Sequence, residues 1–178
     1  VGAGEVARAS VRVLLEALTV TRLALYSRTR SRCERLADEA RGIADVAVSV
    51  APDATSVLDA CDVVVLATTT RSAIQVGEVR PGLVLCALGT NEIDADGYRS
   101  ADHVVVDDWA QTQAASDITA MVAGGLELDE SLVVPLPELV AGSRGVSASP
   151  EESIIVRTQG LASQDILFAH HVWQESSR

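Results

Sequence analysis

The hydrophobic pattern of the chain changes repeatedly between the period of a helix and the period of a strand. Apolar residues between Glu5 and Leu18 fall mainly on one helical face, and a closing helix is predicted from Leu161 to Glu175. Valines alternate with other residues over positions 46–50, which predicts a strand. The pattern therefore predicts a fold that contains both helices and strands.

Longer aliphatic runs predict further strands: Leu23–Ser27, Asp62–Ala67, Leu83–Leu88, His103–Val106 and Ser153–Arg157. The run Asp62–Ala67 is continuous and rich in valine, so we expect a central parallel strand buried on both faces. Because strands alternate with helices, the sequence predicts an α/β fold, a Rossmann-like doubly wound and mostly parallel sheet.

Two of the intervening helices carry boundary signals. Ser31 followed by Glu34 has the spacing of a capping box, and Gly42 is a residue that can end the same helix. Pro52-Asp53 is expected to open a short helix that continues to Ala60.

The chain begins with a glycine-rich turn, Gly2-x-Gly4-x-x-Ala7. In a dinucleotide-binding unit the first glycine allows a tight turn, the second lets a pyrophosphate approach the backbone, and a small third residue lets the helix pack closely on the sheet. The alternative is an ordinary helix start. Only Val1 precedes the turn, so we expect the first strand and an N-terminal substrate and dimerisation portion to be missing from this sequence.

Composition limits the class of partner. A net charge of −11 argues against nucleic acid and anionic membranes, and no apolar run is long enough to span a bilayer. The three cysteines, Cys33, Cys61 and Cys86, are far apart and show no metal-binding spacing. They are expected to be reduced thiols in a cytoplasmic protein.

The residues after the second strand of such a unit select the cofactor. An Asp or Glu usually accepts the ribose hydroxyls of NAD there, but this chain has Ser27-Arg28-Thr29. A hydroxyl residue followed by Arg suits a 2′-phosphate, so NADP(H) is favoured and NAD(H) remains possible. The alternative is a solvated basic loop.

Polar residues also follow two other predicted strands. Thr68-Thr69-Thr70 and Leu88-Gly89-Thr90 occupy predicted carboxyl ends, where open α/β sheets bind ligands. Asp107 and Asp108 lie where a strand ends and a helix begins, and are interpreted as structural. His170 and His171, on the closing helix, are interpreted as surface or packing residues.

Several segments together resemble the ornithine cyclodeaminase/mu-crystallin family. They are the run 61–70, the segments 79–82 and 88–89, the run 104–108 with Ser116-Asp117, and the tail segments 138–142, 149–154 and 160–165. The resemblance covers essentially the whole chain. It differs from the family pattern at Ser116, where a Gly is usual.

The resemblance implies a role for residues at each strand end. Those that would line the pyrophosphate are Gly2, Ala3, Gly4 and Val6; those that would hold the adenosine ribose or its phosphate are Ser27, Arg28 and Thr29; and those that would border the nicotinamide half are Thr68, Thr69, Leu88 and Gly89. Asp117 matches the carboxylate that the family places beside the substrate amino group, where it takes a proton from the ammonium or stabilises an iminium. Its alternative role is a helix cap.

The resemblance also implies an activity. The expected enzyme transfers a hydride at the α-carbon of a small amino acid or its cyclic imine, with no metal and as a homodimer. A redox-neutral ornithine or lysine cyclodeaminase and a non-catalytic NADPH-binding protein remain alternatives. We expect a cofactor domain over residues 1–150, and a strand and helix over 151–178 that return toward the missing portion. The family's carboxylate-binding arginine and lysine are expected upstream of Val1.

Overall fold

The computed structural model describes residues 1–69, 74, 76–114, 116–146 and 149–176. Within these residues the strands are β1 Arg22–Leu25, β2 Ala47–Val50, β3 Val63–Leu66, β4 Val84–Ala87, β5 His103–Val106, β6 Val133–Pro135 and β7 Ile154–Arg157. The helices are α1 Glu5–Ala17, α2 Arg30–Ile43, α3 Ala54–Ala60, α4 Ala95–Ser100, α5 Trp109–Ala114, α6 Asp117–Ala123, α7 Leu136–Val140 and α8 Ala162–Ser176, with a 3₁₀ turn at Glu130–Leu132.

The strands form two parallel groups. β1 pairs with β2, and the other five lie in the order β3-β4-β7-β5-β6. Val1 and Gly2 lie between the two groups: the Val1 backbone nitrogen donates to the Val65 carbonyl at 2.6 Å, and the Gly2 amide donates to the Tyr26 carbonyl at 2.7 Å. The predicted α/β fold with a parallel sheet is confirmed.

The expectation that the strand around 62–67 is buried on both faces is wrong in part. Val64 and Leu66 are buried, but Val63 is 40% exposed. The reason is that Val63 lines an open groove of about 320 Å³ between β3 and β1, which no side chain of the described residues fills.

The predicted capping box at Ser31 and Glu34 does not form. The helix begins two residues earlier than that box requires, at Arg30, and its N-cap, Thr29, makes no side-chain capping bond. The Glu34 carboxylate instead accepts from Arg30 Nε at 3.0 Å, because the two residues are one helical turn apart. Gly42 lies inside the helix, which continues to Ile43. The helix predicted after Pro52-Asp53 is present, capped by Asp53.

The strand of the closing segment lies in the middle of the sheet. β7 pairs with β4 on one side and β5 on the other, so the sheet of the first 150 residues also contains part of 151–178. Where one domain ends and the next begins stays a prediction. The strand β6, which follows two glycines and ends at Pro135, was not predicted.

Apolar side chains form two clusters that support the sheet. The larger cluster packs around β3, β4, β5 and β7, and the smaller packs α1 and α2 against β1. No side chain of α8 is buried, and Phe168 and Trp173 are 70% and 64% exposed. None of the helices in the described residues is long and apolar enough to cross a membrane.

Candidate functional site

The predicted site residues follow the carboxyl ends of parallel strands. Ser27 follows β1, Thr68 follows β3 and Gly89 follows β4, while Asp117 opens the second helix after β5. The last three follow strands of one parallel sheet and so lie at the same edge, and Gly2, which bonds to Tyr26 and packs on Ala67, connects the end of β1 to the end of β3. Thr70, predicted at the end of β3, lies outside the described residues.

The glycine turn leads into helix α1. Gly2 has φ +106°, and a Cβ there would lie 2.2 Å from the Ala67 carbonyl oxygen, so only glycine fits. Gly4 is the N-cap of the 13-residue helix α1, makes no side-chain capping bond, and has no atom within 4 Å of where a Cβ would stand. The space beside Gly4 is therefore open, and a helix N-terminus without a side-chain cap is a position that suits a phosphate.

The other residues of the turn differ in how far they are buried. Ala7 is buried, which is the close helix packing expected for the third small residue of the motif. Ala3 is half-buried and packs on the smaller apolar cluster. Val6 is 56% exposed beside the turn.

The loop after β1 presents hydroxyl groups and a cation. The Ser27 hydroxyl oxygen accepts from the Thr29 amide at 3.2 Å, which folds the loop back on itself. Arg28 is exposed and forms no ion pair within the described part of the chain, whereas nearby Arg30 pairs with Glu34. Arg28 is thus available to a ligand.

Glu92 joins the loops that follow β3 and β4. Its side chain is fully buried; Oε1 accepts from the Thr68 amide at 2.5 Å and Oε2 accepts from the Gly89 amide at 2.6 Å. Leu88, in contrast, is exposed, and so is Thr69. Glu92 was not predicted from the sequence, because an acidic residue in a polar loop is ordinarily a solvated one.

Asp117 is the first residue of α6 but does not cap it. Ser116 is the N-cap, and it forms a reciprocal capping box with Thr119. The Asp117 side chain is fully buried: Oδ1 accepts from Arg157 Nε at 3.0 Å and lies 3.0 Å from Arg157 Nη2, while Oδ2 accepts from the Asn91 amide at 2.8 Å. Arg157 was also missed from the sequence, where it reads only as the last residue of a strand.

A cavity of about 480 Å³ lies over this ion pair. Its lining includes Thr90, Asn91, Asp117, Ala120, Arg157 and Gln159. Tyr98 is buried nearby, and its hydroxyl has no hydrogen-bond partner within the described residues. Burial, with a smaller contribution from the Asp117 charge, raises the pKa of Tyr98 and keeps the phenol protonated, although Arg157 acts in the opposite direction.

Asp107 and Asp108 both make structural contacts. Asp107 is buried, and its Oδ2 accepts from the amides of Gln159 and Gly160 at 2.7 and 2.6 Å. Asp108 accepts from the Gln111 amide in the first turn of α5. Asp107 therefore fixes the loop that leads from β7 to α8.

Comparison with known proteins identifies relatives that act on amino acids and imines. N-((2S)-2-amino-2-carboxyethyl)-L-glutamate dehydrogenase of Staphylococcus aureus is 23% identical over the whole chain and 54% of its own length, and alanine dehydrogenase of Archaeoglobus fulgidus is 30% identical over 65% of the chain and 38% of its own length. The chain thus spans about half the length, or less, of these curated relatives.

Solved structures share the fold. Delta(1)-pyrroline-2-carboxylate reductase of Thermococcus litoralis, solved with NADH and L-proline, superposes with a TM-score of 0.88 at 23% identity, over 98% of this chain and 56% of that one. A dimeric archaeal alanine dehydrogenase with bound NAD gives 0.81 at 26% identity, over 97% and 55%. The family model described as ornithine cyclodeaminase/mu-crystallin matches residues 1–178. The chain belongs to the ornithine cyclodeaminase/mu-crystallin family.

Proposed function

We propose that the protein is an NAD(P)-dependent enzyme that transfers a hydride at the α-carbon of a small amino acid or its cyclic imine. The observation that carries this proposal is that an open glycine turn lies between the carboxyl ends of β1 and β3, and that a buried Asp–Arg pair lies at the carboxyl ends of the five-stranded parallel sheet that contains β3. Membership of the family, and relatives named as amino-acid dehydrogenases and imine reductases, support it.

The glycine turn would hold the pyrophosphate of the cofactor. Gly4 leaves room for the phosphates, and the uncapped N-terminus of α1 offers N–H donors and the positive end of the helix dipole. Ala3 and Val6, beside the turn, would complete this part of the site. The residues present therefore fit a dinucleotide.

The loop Ser27-Arg28-Thr29 would hold the adenosine ribose and favour NADP(H). Arg28 is exposed and unpaired among the described residues, so its guanidinium is available to a 2′-phosphate without first breaking an ion pair. NAD(H) is the alternative, since the relatives from Thermococcus litoralis and the archaeal alanine dehydrogenase were solved with NADH and NAD.

The nicotinamide would lie against the loops after β3 and β4, which contribute Thr68, Thr69, Leu88 and Gly89. The cofactor, when bound, supplies the hydride chemistry. These residues would orient its reactive face toward the cavity over Asp117 and Arg157.

Asp117 would act on the substrate nitrogen. Each of its oxygens accepts one hydrogen bond from the protein, and a carboxylate has about four acceptor sites, so Oδ2 keeps one for a substrate N–H. A carboxylate in that place can accept a proton from an ammonium or oppose the charge of an iminium. Arg157 holds Oδ1 and would therefore fix the direction of this free acceptor site.

A homodimer in the cytoplasm is also part of the proposal. The apolar residues on the exposed face of α8 are available for contact with another part of the protein or a second copy, and the archaeal alanine dehydrogenase relative is a dimer. The three cysteines are free thiols, as a reducing compartment favours.

The test is a turnover assay on the full-length protein with NADPH and NADH. Proline, ornithine, lysine, alanine and cyclic imines are the substrates to compare. Net change in NADPH absorbance would identify a dehydrogenase or reductase, whereas release of ammonia from ornithine or lysine without net change would identify a cyclodeaminase. Tight NADPH binding with no turnover of any substrate would support the non-catalytic alternative and contradict the enzyme proposal.

A further inference from the structure

Glu92 is a buried carboxylate that has no arginine or lysine partner in the part of the chain that the structure describes. Its two oxygens accept from two backbone amides instead, Thr68 at 2.5 Å and Gly89 at 2.6 Å. Hydrogen bonds to a carboxylate are shorter and stronger than those between neutral groups. Burying this charge is unfavourable unless both amides stay in place, so the contact resists changes in the spacing of the two loops.

The two amides lie just beyond the last backbone contact between β3 and β4. Leu88 donates to the Leu66 carbonyl at 3.1 Å, and from that step onward the Glu92 side chain bridges the two loops. Thr68 and Glu92 are 24 residues apart in sequence. The Glu92 side chain thus connects the two loops beyond the point where the backbone hydrogen bonds between β3 and β4 end.

The Glu92 contact leaves no room for a side chain at position 89. A Cβ at Gly89 would lie 2.9 Å from Cδ of Glu92 and 2.9 Å from the Thr68 carbonyl oxygen. Any side chain there would push the carboxylate away from the Thr68 loop. The glycine is therefore required by the contact with Glu92, independently of any ligand.

The same short loop also holds Asp117. Asn91 has φ +57°, a left-handed conformation that few residues other than glycine adopt, and its amide donates to Asp117 Oδ2 at 2.8 Å. Asn91 and Glu92 are adjacent, so one turn of backbone connects the Thr68 and Gly89 amides to the Asp117 carboxylate.

We infer that Glu92 is a positioning residue that fixes the nicotinamide-side loops at a set spacing from each other and from Asp117. This rests on the proposed function, in which those loops border the nicotinamide. Glu92 itself is fully buried beneath the loops it holds, so it would act through those loops. Its effect would be on the distance and angle of hydride transfer, to which rates are sensitive.

The experiment compares Glu92→Gln with wild type in the full-length protein. Glutamine keeps the shape but replaces one acceptor oxygen with a donor, so one of the two amides loses its partner. Glu127→Gln, which removes a charge from an exposed site, is the matched control. The measurements are the affinity for NADPH, the affinity for 2′-phospho-ADP-ribose, the fluorescence of bound NADPH, kcat, and the primary isotope effect with 4-deuterated NADPH.

We expect 2′-phospho-ADP-ribose affinity to change less than about twofold, because that ligand has no nicotinamide. The fluorescence enhancement of bound NADPH should fall, kcat should fall by about 10–100-fold, and the isotope effect should increase as hydride transfer becomes slower. Gly89→Ala, which displaces the same carboxylate by contact, should give the same pattern if Glu92→Gln does not fold.

The outcomes distinguish failure of the proposed enzyme function from failure of the inference about Glu92. Wild type that binds NADPH without turnover contradicts the enzyme proposal, while the fluorescence comparison still tests Glu92. Unchanged fluorescence, kcat and isotope effect in a less stable variant would overturn the inference and leave Glu92 a purely structural residue. Equal loss of NADPH and 2′-phospho-ADP-ribose would also overturn it, as would a wild type that binds no dinucleotide.

Discussion

Arg157 and Asp117 form a buried ion pair at the carboxyl edge of the sheet. Nε donates to Oδ1 at 3.0 Å, Nη2 lies 3.0 Å from the same oxygen, and the two side chains are 3% and 0% exposed. The pair holds the carboxylate in one orientation beneath the cavity. It also means that any substitution at Asp117 changes the stability of the fold as well as the chemistry of the site.

Asp117→Asn should lower kcat by roughly 10²–10⁴-fold, because it removes the charge proposed to act on the substrate nitrogen. It should also lower the free energy of unfolding, by about 3–5 kcal/mol, because Arg157 is left buried without a counter-charge. Cofactor affinity should stay nearly unchanged. Steady-state kinetics and urea unfolding measure these effects.

The double variant Asp117→Asn with Arg157→Gln separates catalysis from stability. A neutral pair should recover much of the lost stability, since the unpaired buried charge is gone, while kcat stays low. Asp59→Asn, at an exposed site, is the control for loss of one charge. Recovery of kcat together with stability would show that Asp117 acts only through the fold.

Arg28→Ala should weaken NADPH binding selectively, by about 1.5–3 kcal/mol for a lost charge-assisted contact, and leave NADH binding nearly unchanged. Arg22→Ala is a matched control, because Arg22 is an exposed arginine at the start of β1, whereas Arg28 lies in the loop that follows the end of β1. Isothermal titration with both cofactors measures the difference. An equal loss for both, or a preference of wild type for NADH, contradicts the NADP(H) assignment.

Gly4→Val should abolish dinucleotide binding while the protein stays folded. The new side chain would occupy the open space where the pyrophosphate is proposed to lie, and no protein atom is within 4 Å of its Cβ. Titration with NADPH and a melting curve measure the two parts of this prediction. Retained affinity would show that the phosphates bind elsewhere.

Gly2→Ala, unlike Gly4→Val, should act mainly on the stability of the fold. Its Cβ would lie 2.2 Å from the Ala67 carbonyl oxygen on a backbone with φ +106°, so the main effect should be loss of stability. A melting temperature equal to that of wild type would show that the turn can relax without cost.

Tyr98→Phe should change the free energy of unfolding by no more than about 1–2 kcal/mol, because the buried hydroxyl makes no hydrogen bond of good geometry among the described residues, although Arg157 is close enough to interact with it. Tyr26→Phe, at a partly exposed tyrosine, is the control. Urea unfolding gives the stability and kcat gives the activity. A large fall in kcat would instead assign the protonated phenol a part in the reaction.

The sequence determined the elements whose signals are local. Runs of valine and leucine placed β3, β4, β5 and β7 within about a residue of their positions, since a strand buried in a parallel sheet must be continuously apolar. The glycine turn could be predicted for a similar reason. The φ of +106° at Gly2 favours glycine over other residues, and a glycine at position 4 leaves open space beside the turn. The predicted capping box at Ser31 was also a local signal, but it does not form, and Glu34 pairs with Arg30 instead.

The tertiary structure alone decided which polar residues meet. Arg157 and Asp117 are 40 residues apart, and Glu92 lies 24 residues from Thr68, so no spacing pattern connects them. Arg157 meets Asp117 because β7 enters the sheet between β4 and β5, and Glu92 meets Thr68 because β3 and β4 are neighbours in the same sheet. A buried charge is stable only where such partners converge, and that convergence is a property of the strand order rather than of any local segment.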